Sequence, residues 1–157
     1  MKFAQELIRK MIPEWRQAFI DYLLLKTLLK PLKLMLKKYR NIPIQTSSRR
    51  KDLKFSLTNY TKEEVDRLAY FIDKFEYLAN SEFEKATLFF KSKLLEYLKK
   101  FRLLKINVVI LDSMASDPDF LRHKAQIKNC FHSFYKEIIL LQDFYTLNYE
   151  GLRKILK

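Results

Sequence analysis

The chain has 157 residues, a length typical of one domain, and 48% of them are hydrophobic and 15% aromatic. This composition excludes an intrinsically disordered chain, because it supplies enough apolar surface to bury a core. Thirty-one Lys and Arg against 18 Asp and Glu leave a formal net charge of +13, which is typical of proteins with an anionic partner. Charge alone leaves nucleic acid, anionic lipid and a small polyphosphate open as that partner.

Glycine and cysteine are scarce. The first shortage limits the fold class, and the second limits the disulfides and metal sites that the chain can form. One glycine and four prolines, with few alternating β-branched runs between turn residues, favour an all-α fold over a sheet. The single cysteine, Cys130, excludes a disulfide framework and a cysteine-based zinc site, so a reducing compartment fits. Charged residues occur at short intervals in residues 1–20, and no uncharged apolar stretch of the sequence is long enough to cross a bilayer. We therefore expect a soluble chain with no secretory leader.

The spacing and composition of residues 1–60 predict two helices followed by a linker. Apolar residues between Phe3 and Met11 have helical spacing, and Pro13 ends this helix or begins the next one. A second helix is expected from Glu14 to about Arg40, kinked or interrupted at Pro31. Residues 41–60 lose the helical period and contain Pro43, Ser47, Ser48, Arg49 and Arg50. We interpret them as a mobile basic linker.

A long helix is predicted to start after Thr61, which forms a capping-box spacing with Glu64. An apolar stripe follows, with a mean step of about 3.6 residues. This step predicts a nearly straight helix that ends at the DSMASD segment, residues 112–117. We interpret the whole stripe as core: Leu68, Ile72, Phe75, Ala79, Phe83, Ala86, Phe90, Leu94, Tyr97, Phe101, Leu104 and Val108.

The last part of the chain predicts a second long helix that packs antiparallel on the first. Asp117 is its expected N-cap, with Pro118 at the first helical position. Asn148 is expected to cap a separate short helix from Tyr149 to Lys157, and that helix has no C-terminal stop signal. The apolar stripe of the long helix comprises Ile127, Phe131, Phe134, Ile138, Leu141 and Tyr145.

Two ends of the chain resemble a known family. The opening MKFAQELIRKMIPEWRQAFIDYLLLKTLLK resembles the first helical hairpin of SPX domains, and FHSFYKEIILLQDFYTLNYEGLRKILK resembles their closing segment. Between them, FEYLANSEFEKATLFFKSKLLEYLKKFRLL resembles the long central SPX helix. The similarity is greatest to the SPX domains that precede the membrane domain of PHO-type and xenotropic-retrovirus-receptor-type phosphate exporters. It implies one domain over residues 1–157, made of an N-terminal hairpin, two long antiparallel helices and a short C-terminal helix.

The resemblance also implies a ligand and a site. SPX domains bind inositol polyphosphates or pyrophosphates on a basic surface where their first, second and closing helices meet. Lys2 matches the lysine of the family's opening motif, and Tyr22 and Lys26 match a tyrosine and a lysine of its second helix. Lys154 and Lys157 match lysines of the closing helix. Two more lysines follow in the family, so we expect this chain to be cut from a longer membrane protein and its surface to be incomplete.

The spacing of these residues suits the ligand on physical grounds too. Tyr22 and Lys26 are four residues apart and share a helix face, and Lys154 and Lys157 are three apart and share another. Ammonium groups attract phosphate as mobile point charges, whereas a phenol donates one directed hydrogen bond. Lys30 and Lys33 continue the first face, but no family match supports them, and we interpret them as solvated charges.

The remaining motifs predict neither catalysis nor a metal. His123 and His132 lie nine residues apart without a nearby cysteine or paired carboxylates, so no metal site and no cofactor are expected. No glycine-rich phosphate loop or nucleophile motif is present, so the chain is not expected to be an enzyme. Sensing of phosphate status on the cytosolic face of a membrane protein is the favoured function. A basic helical adaptor for a protein, nucleic acid or anionic membrane remains the alternative, with nucleic acid disfavoured because stacking aromatics are not apparent.

Overall fold

The computed structural model describes residues 2–40, 61–113 and 118–157, which contain helices and no β-strand. The all-α prediction is therefore confirmed for this part of the chain. Two compact units are present, residues 1–20 with 82–157, called here the bundle unit, and residues 21–81, called the α2 unit. A single domain over residues 1–157 stays a prediction. The elements are α1 (Lys2–Lys10), a 3₁₀ helix (Pro13–Ala18), α2 (Tyr22–Arg40), α3 (Lys62–Ser113) and α4 (Phe120–Leu156).

The predicted second helix, Glu14 to Arg40, is divided in the structure, so its single span is wrong. Its first residues form the 3₁₀ helix, and α2 begins only at Tyr22. The break is explained by Asp21, whose Oδ1 accepts a hydrogen bond from the Leu24 N–H at 2.9 Å, as an N-cap side chain does. Pro31 lies within α2, which continues through it to Arg40. The predicted linker, residues 41–60, lies outside the described residues.

The start of α3 follows the predicted capping box. The Thr61 backbone N–H donates to Glu64 Oε2 at 3.4 Å, and the Glu64 N–H donates to Thr61 Oγ1 at 3.3 Å. These reciprocal bonds satisfy two N–H groups that the first turn leaves without helical partners. The helix then runs unbroken from Lys62 to Ser113, so its predicted start and end are both confirmed.

Helices α3 and α4 are antiparallel within the bundle unit, as predicted. Contacts between them pair rising residue numbers on α3 with falling numbers on α4. Phe90 lies 5.6 Å from Tyr145 between ring centroids, and Phe101 lies 6.1 Å from Phe134. Between these ring pairs, Lys100 Nζ contacts Glu137 Oε2 at 2.7 Å, and this hydrogen bond raises the pKa of Lys100.

The buried residues of α3 and α4 form a narrower line than the predicted apolar stripes, and this line is called here the seam. On α3, buried Tyr97, Leu104 and Leu111 repeat every seven residues, as expected where two helices pack along a shared line. Several predicted core residues at the edge of the stripe are instead exposed, which corrects the sequence interpretation: Ile72, Phe83, Leu94 and Phe101 on α3, and Ile138 and Tyr145 on α4.

The two ends of α4 differ from the prediction. Asp117 lies outside the described residues, and Pro118 lies in a turn, with Asp119 as the N-cap of a helix that begins at Phe120. At the other end, no separate short helix forms, because α4 continues through Asn148 to Leu156. Asn148 is 5% exposed and lies on the seam, so it packs inside the bundle unit instead of capping a new helix.

Candidate anion-binding site

The end of α4 carries two predicted ligand-binding lysines, and α1 packs against this end. Leu7 of α1 and Ile155 of α4 are both buried. The only glycine, Gly151, lies one turn before Ile155. A Cβ atom at Gly151 would lie 2.7 Å from Ile20 Cδ1 and 3.6 Å from Phe3 Cε1. A Cβ here would force the Ile20 side chain to move, so glycine lets the N-terminal segment, residues 2–20, pack closely against α4.

Asn148 fixes the N-terminal segment to α4 through hydrogen bonds. Its side-chain Oδ1 accepts the Ile20 backbone N–H at 2.9 Å, and its Nδ2 donates to the Phe144 carbonyl at 2.7 Å. The Ile20 N–H follows the 3₁₀ helix and precedes α2, so no helix supplies it with a partner. Asn148 supplies that partner and thereby sets the position of Ile20 against α4.

Aromatic packing holds the same segment. Trp15 of the 3₁₀ helix lies 5.3 Å from Phe89 of α3 and 6.0 Å from Phe144 of α4 between ring centroids. Phe19 lies 4.6 Å from Phe144 in an edge-to-face arrangement. Such pairs each contribute about 0.5–1.5 kcal/mol beyond their burial. The N-terminal segment is consequently held to both long helices of the bundle unit.

Lys154 lies one turn beyond the Asn148 and Gly151 contacts. Its Nζ is 4.2 Å from the centroid of the Phe3 ring, in the first turn of α1. Glu6 of α1 forms an ion pair with Lys10 at 3.0 Å. The hydrogen bond from Lys10 lowers the pKa of Glu6, and the charges of Lys154 and Arg9 act in the same direction. The opening and closing segments of the chain therefore meet around the Lys154 ammonium.

The other predicted residues of the bundle unit lie at the ends of its helices. Lys2 is the first residue of α1, one position before Phe3. Lys157 is the C-cap of α4 and is exposed. Because Lys154 contacts the ring of Phe3, the structure brings the first turn of α1 and the last turn of α4 together, as the resemblance implied for the helices that carry these residues.

The α2 unit contains the remaining two predicted residues. Tyr22 is the first residue of α2, and its side chain is buried. Lys26 Nζ lies 5.7 Å from the centroid of the Tyr22 ring, so the two share a face of α2 as their spacing predicted. Lys30 and Lys33 are exposed. Assembly of the five predicted residues into one site stays a prediction, because two belong to this unit and three to the other.

Sequence reasoning missed the residues that hold the first turn of α1 beside Lys154. Phe3, Asn148 and Gly151 carry no charge that draws attention to an anion site, and the position of Asn148 suggests a cap. A signal is present in the sequence, however. Positions 134, 141, 148 and 155 repeat every seven residues, and all four are buried. This spacing is enough to place Asn148 on the seam with its apolar neighbours.

In the described part of the chain, no three His, Cys, Asp or Glu side chains gather as metal ligands. Within the same residues, no helix has the length and apolar character to cross a bilayer.

Comparison with known proteins shows which sequences the chain is similar to. Residues 1–56 match the model of the SPX domain. The whole chain aligns with SPX domain-containing protein 2 of Arabidopsis thaliana at 33% identity, covering 51% of that protein. It also aligns with human solute carrier family 53 member 1 at 27% identity and with the zebrafish xenotropic and polytropic retrovirus receptor 1 homolog at 29%, covering 23% of each.

The chain thus spans between about a quarter and about half of the length of these relatives. The family match begins at the first residue, and similarity to the Arabidopsis protein continues to the last. The meeting of α1 with the end of α4 agrees with the arrangement that the resemblance implied. Residues 1–56 are thus identified as SPX-domain sequence, and the chain is similar to SPX domain-containing proteins over its whole length.

Proposed function

We propose that the chain is a sensor domain that binds inositol polyphosphates or pyrophosphates through Lys2, Tyr22, Lys26, Lys154 and Lys157. The observation that carries the proposal is the contact of Lys154 with Phe3. It brings a cation from the end of the chain to the first turn of α1, the turn that Lys2 begins. Tyr22 and Lys26 on one face of α2 supply a second pair of phosphate-binding groups.

The chemistry of these groups suits a ring that carries phosphates on every side. Lysine ammoniums place positive charge with few constraints on direction, while the Tyr22 hydroxyl offers a directed donor. Each charge-assisted hydrogen bond is worth about 1.5–3 kcal/mol before ordering costs. Four or five such bonds are sufficient for micromolar affinity, about −8 kcal/mol. The net charge of +13 raises the local concentration of such an anion.

We propose the following biological role for this binding. Binding reports phosphate status and regulates phosphate homeostasis or export, with no catalytic step in this chain. The names of the relatives, an SPX domain-containing protein, a solute carrier and a retrovirus receptor homolog, support such a role and an attached membrane domain. The domain would then act on the cytosolic face of the membrane, where inositol phosphates are the expected ligand.

Calorimetric titration with inositol hexakisphosphate tests the proposal. We expect saturable binding, and we expect Lys154→Ala and Lys26→Ala each to weaken it by about 1–3 kcal/mol. Lys128→Ala is the matched control for Lys154. It removes the same charge from an exposed position of α4, about 39 Å away along the helix, well beyond the screening length of about 8–10 Å. Lys33→Ala is the control for Lys26 on α2.

Selectivity separates a sensor from a merely basic surface. Inorganic phosphate and duplex DNA, added at matched total charge, should displace the inositol phosphate poorly. Equal weakening by Lys154→Ala and Lys128→Ala would show that only net charge matters. Stronger binding of DNA would favour the alternative of a nucleic-acid-binding protein.

A further inference from the structure

We propose that Phe3 is a positioning residue, which holds the Lys154 ammonium in place for an incoming phosphate. This inference rests on the proposed function and identifies how one of its cations is oriented. Its basis is the contact between Lys154 Nζ and the Phe3 ring, at 4.2 Å from the ring centroid. An ammonium at this distance over an aromatic face is attracted by the ring quadrupole.

This contact differs from the other lysine–aromatic pairs of the described residues. The five other pairs have distances of 5.5–5.9 Å, so the contact with Phe3 is the closest of the six. Four of those five join residues three or four positions apart on one helix, where side chains meet by spacing alone. They are Lys26 with Tyr22, Lys74 with Tyr70, Lys100 with Tyr97 and Lys124 with Phe120. Lys154 and Phe3, in contrast, meet only because α1 packs on α4.

The Phe3 ring is held by its surroundings. It is half-buried, and its Cε1 lies at ordinary contact distance from the space that a Cβ of Gly151 would take. Ile20 packs beside Gly151, and the Ile20 N–H donates a hydrogen bond to Asn148 Oδ1. The position of the ring therefore depends on packing that is fixed before any ligand arrives. A ring held in this way is a rigid platform for a long, flexible lysine side chain.

The contact leaves the ammonium available to an anion. A lysine ammonium has three N–H donors, and a ring covers only one side of it. The nearest acid on α1, Glu6, is already paired with Lys10 at 3.0 Å. Holding the side chain in advance lowers the ordering cost of binding. We therefore expect the ammonium to stay over the ring while its remaining donors bind phosphate.

Substitutions at Phe3 separate the role of the ring face from the role of apolar bulk. Phe3→Leu keeps an apolar side chain and removes the π face, whereas Phe3→Tyr keeps the face. Titrated with inositol hexakisphosphate at one ionic strength, Phe3→Leu should bind about two- to fivefold more weakly than wild type. Phe3→Tyr should bind like wild type. In a Lys154→Ala background, Phe3→Leu should have no further effect.

A spectroscopic measurement on the unaltered protein makes the test independent of variant folding. The ε-methylene protons of Lys154 should show an upfield ring-current shift in the free protein, and this shift should persist in the complex. Loss of the shift on binding, or tighter binding by Phe3→Leu, would mean that the ring competes with phosphate and would overturn the inference. A Phe3→Leu effect that survives in the Lys154→Ala background would also overturn it.

Titration of the wild-type protein separates loss of ligand binding from loss of the role of Phe3. Wild-type protein that shows no saturable binding of inositol hexakisphosphate would overturn the proposed function, and this inference with it. Wild-type binding with unchanged affinity in Phe3→Leu would overturn only the role of Phe3.

Discussion

Replacing Asn148 with alanine should destabilise the bundle unit, because Asn148 supplies the hydrogen-bond acceptor for the Ile20 backbone N–H at 2.9 Å. Both residues are buried, at 5% and 2% exposure, so water cannot easily replace the lost acceptor. The Phe144 carbonyl is affected less. It lies within α4, where the helix supplies its regular backbone partner, and loses only the additional bond from Asn148 Nδ2.

The magnitude follows from the unsatisfied N–H group. A buried backbone donor without a partner costs about 1–3 kcal/mol. Alanine has a higher helix propensity than asparagine, by up to about 0.7 kcal/mol, and this gain opposes the loss. Asn129→Ala is the matched control, since Asn129 is exposed in the same helix and its replacement reports the propensity gain alone. The difference between the two variants should therefore be about 1–3 kcal/mol.

Urea denaturation followed by far-ultraviolet circular dichroism measures this difference. Asn148→Ala should have the lower midpoint at an unchanged slope, because the surface exposed on unfolding is nearly the same. Asn148→Ala should also bind inositol hexakisphosphate more weakly, since the first turn of α1 would lose part of its attachment beside Lys154. Equal midpoints for Asn148→Ala and Asn129→Ala would refute the reasoning that this bond holds the N-terminal segment.

Three further predictions concern packing, salt and pH. Gly151→Leu should lower the unfolding midpoint and weaken ligand binding, because its Cβ would lie 2.7 Å from Ile20 Cδ1 and overpacking costs about 1–3 kcal/mol; an unchanged midpoint would contradict the close packing. Added salt should weaken binding of inositol hexakisphosphate steeply, because exposed lysine–phosphate contacts are screened over roughly 8–10 Å; calorimetry at several ionic strengths that gave one affinity would argue against a lysine-based site. The pKa of Glu96 is lowered from 4.5 mainly by a hydrogen bond from Lys93, so its carboxylate contributes stability above that pH and loses it as the pH falls through the lowered value. Denaturation midpoints should therefore fall less between pH 6 and 3 for Glu96→Gln than for wild type. An equal fall in the two proteins would exclude this contribution.

Local sequence signals predict the helix boundaries where a side chain satisfies the backbone directly. Thr61 and Glu64 form their capping box because both partners lie within one turn. Asp21 gives the same kind of signal, since it caps Leu24, but the helical composition on both sides of it hides the break. A helix boundary of this kind depends on one hydrogen bond, whereas composition averages over many residues.

Burial is harder to predict than helix position. Apolar residues recur along α3 at helical spacing, yet only those that face the packing partner are buried, as Tyr97 is and Phe83 is not. A single sequence shows which residues are apolar but not how wide a strip the neighbouring helix covers. A seven-residue repeat marks the seam better than a mean step of about 3.6, because two packed helices meet along a shared line.

The family resemblance predicts the charged residues of the proposed site but not the residues that hold them in place. Lys154 and Lys26 are identified through family motifs, and the structure shows the ring contact that each makes within its own unit. Phe3, Gly151 and Asn148 act by shape and by satisfying one backbone group. These roles depend on contacts between the two ends of the chain, which no local pattern encodes.

Binding of an inositol phosphate by Lys154, beside the ring of Phe3, is the central expectation. A crystal structure of the chain with inositol hexakisphosphate tests it most directly. We predict a phosphate oxygen about 2.7–2.9 Å from Lys154 Nζ, with Lys154 still over the ring of Phe3. A ligand held by Arg49 and Arg50 and away from Lys154 would contradict this expectation.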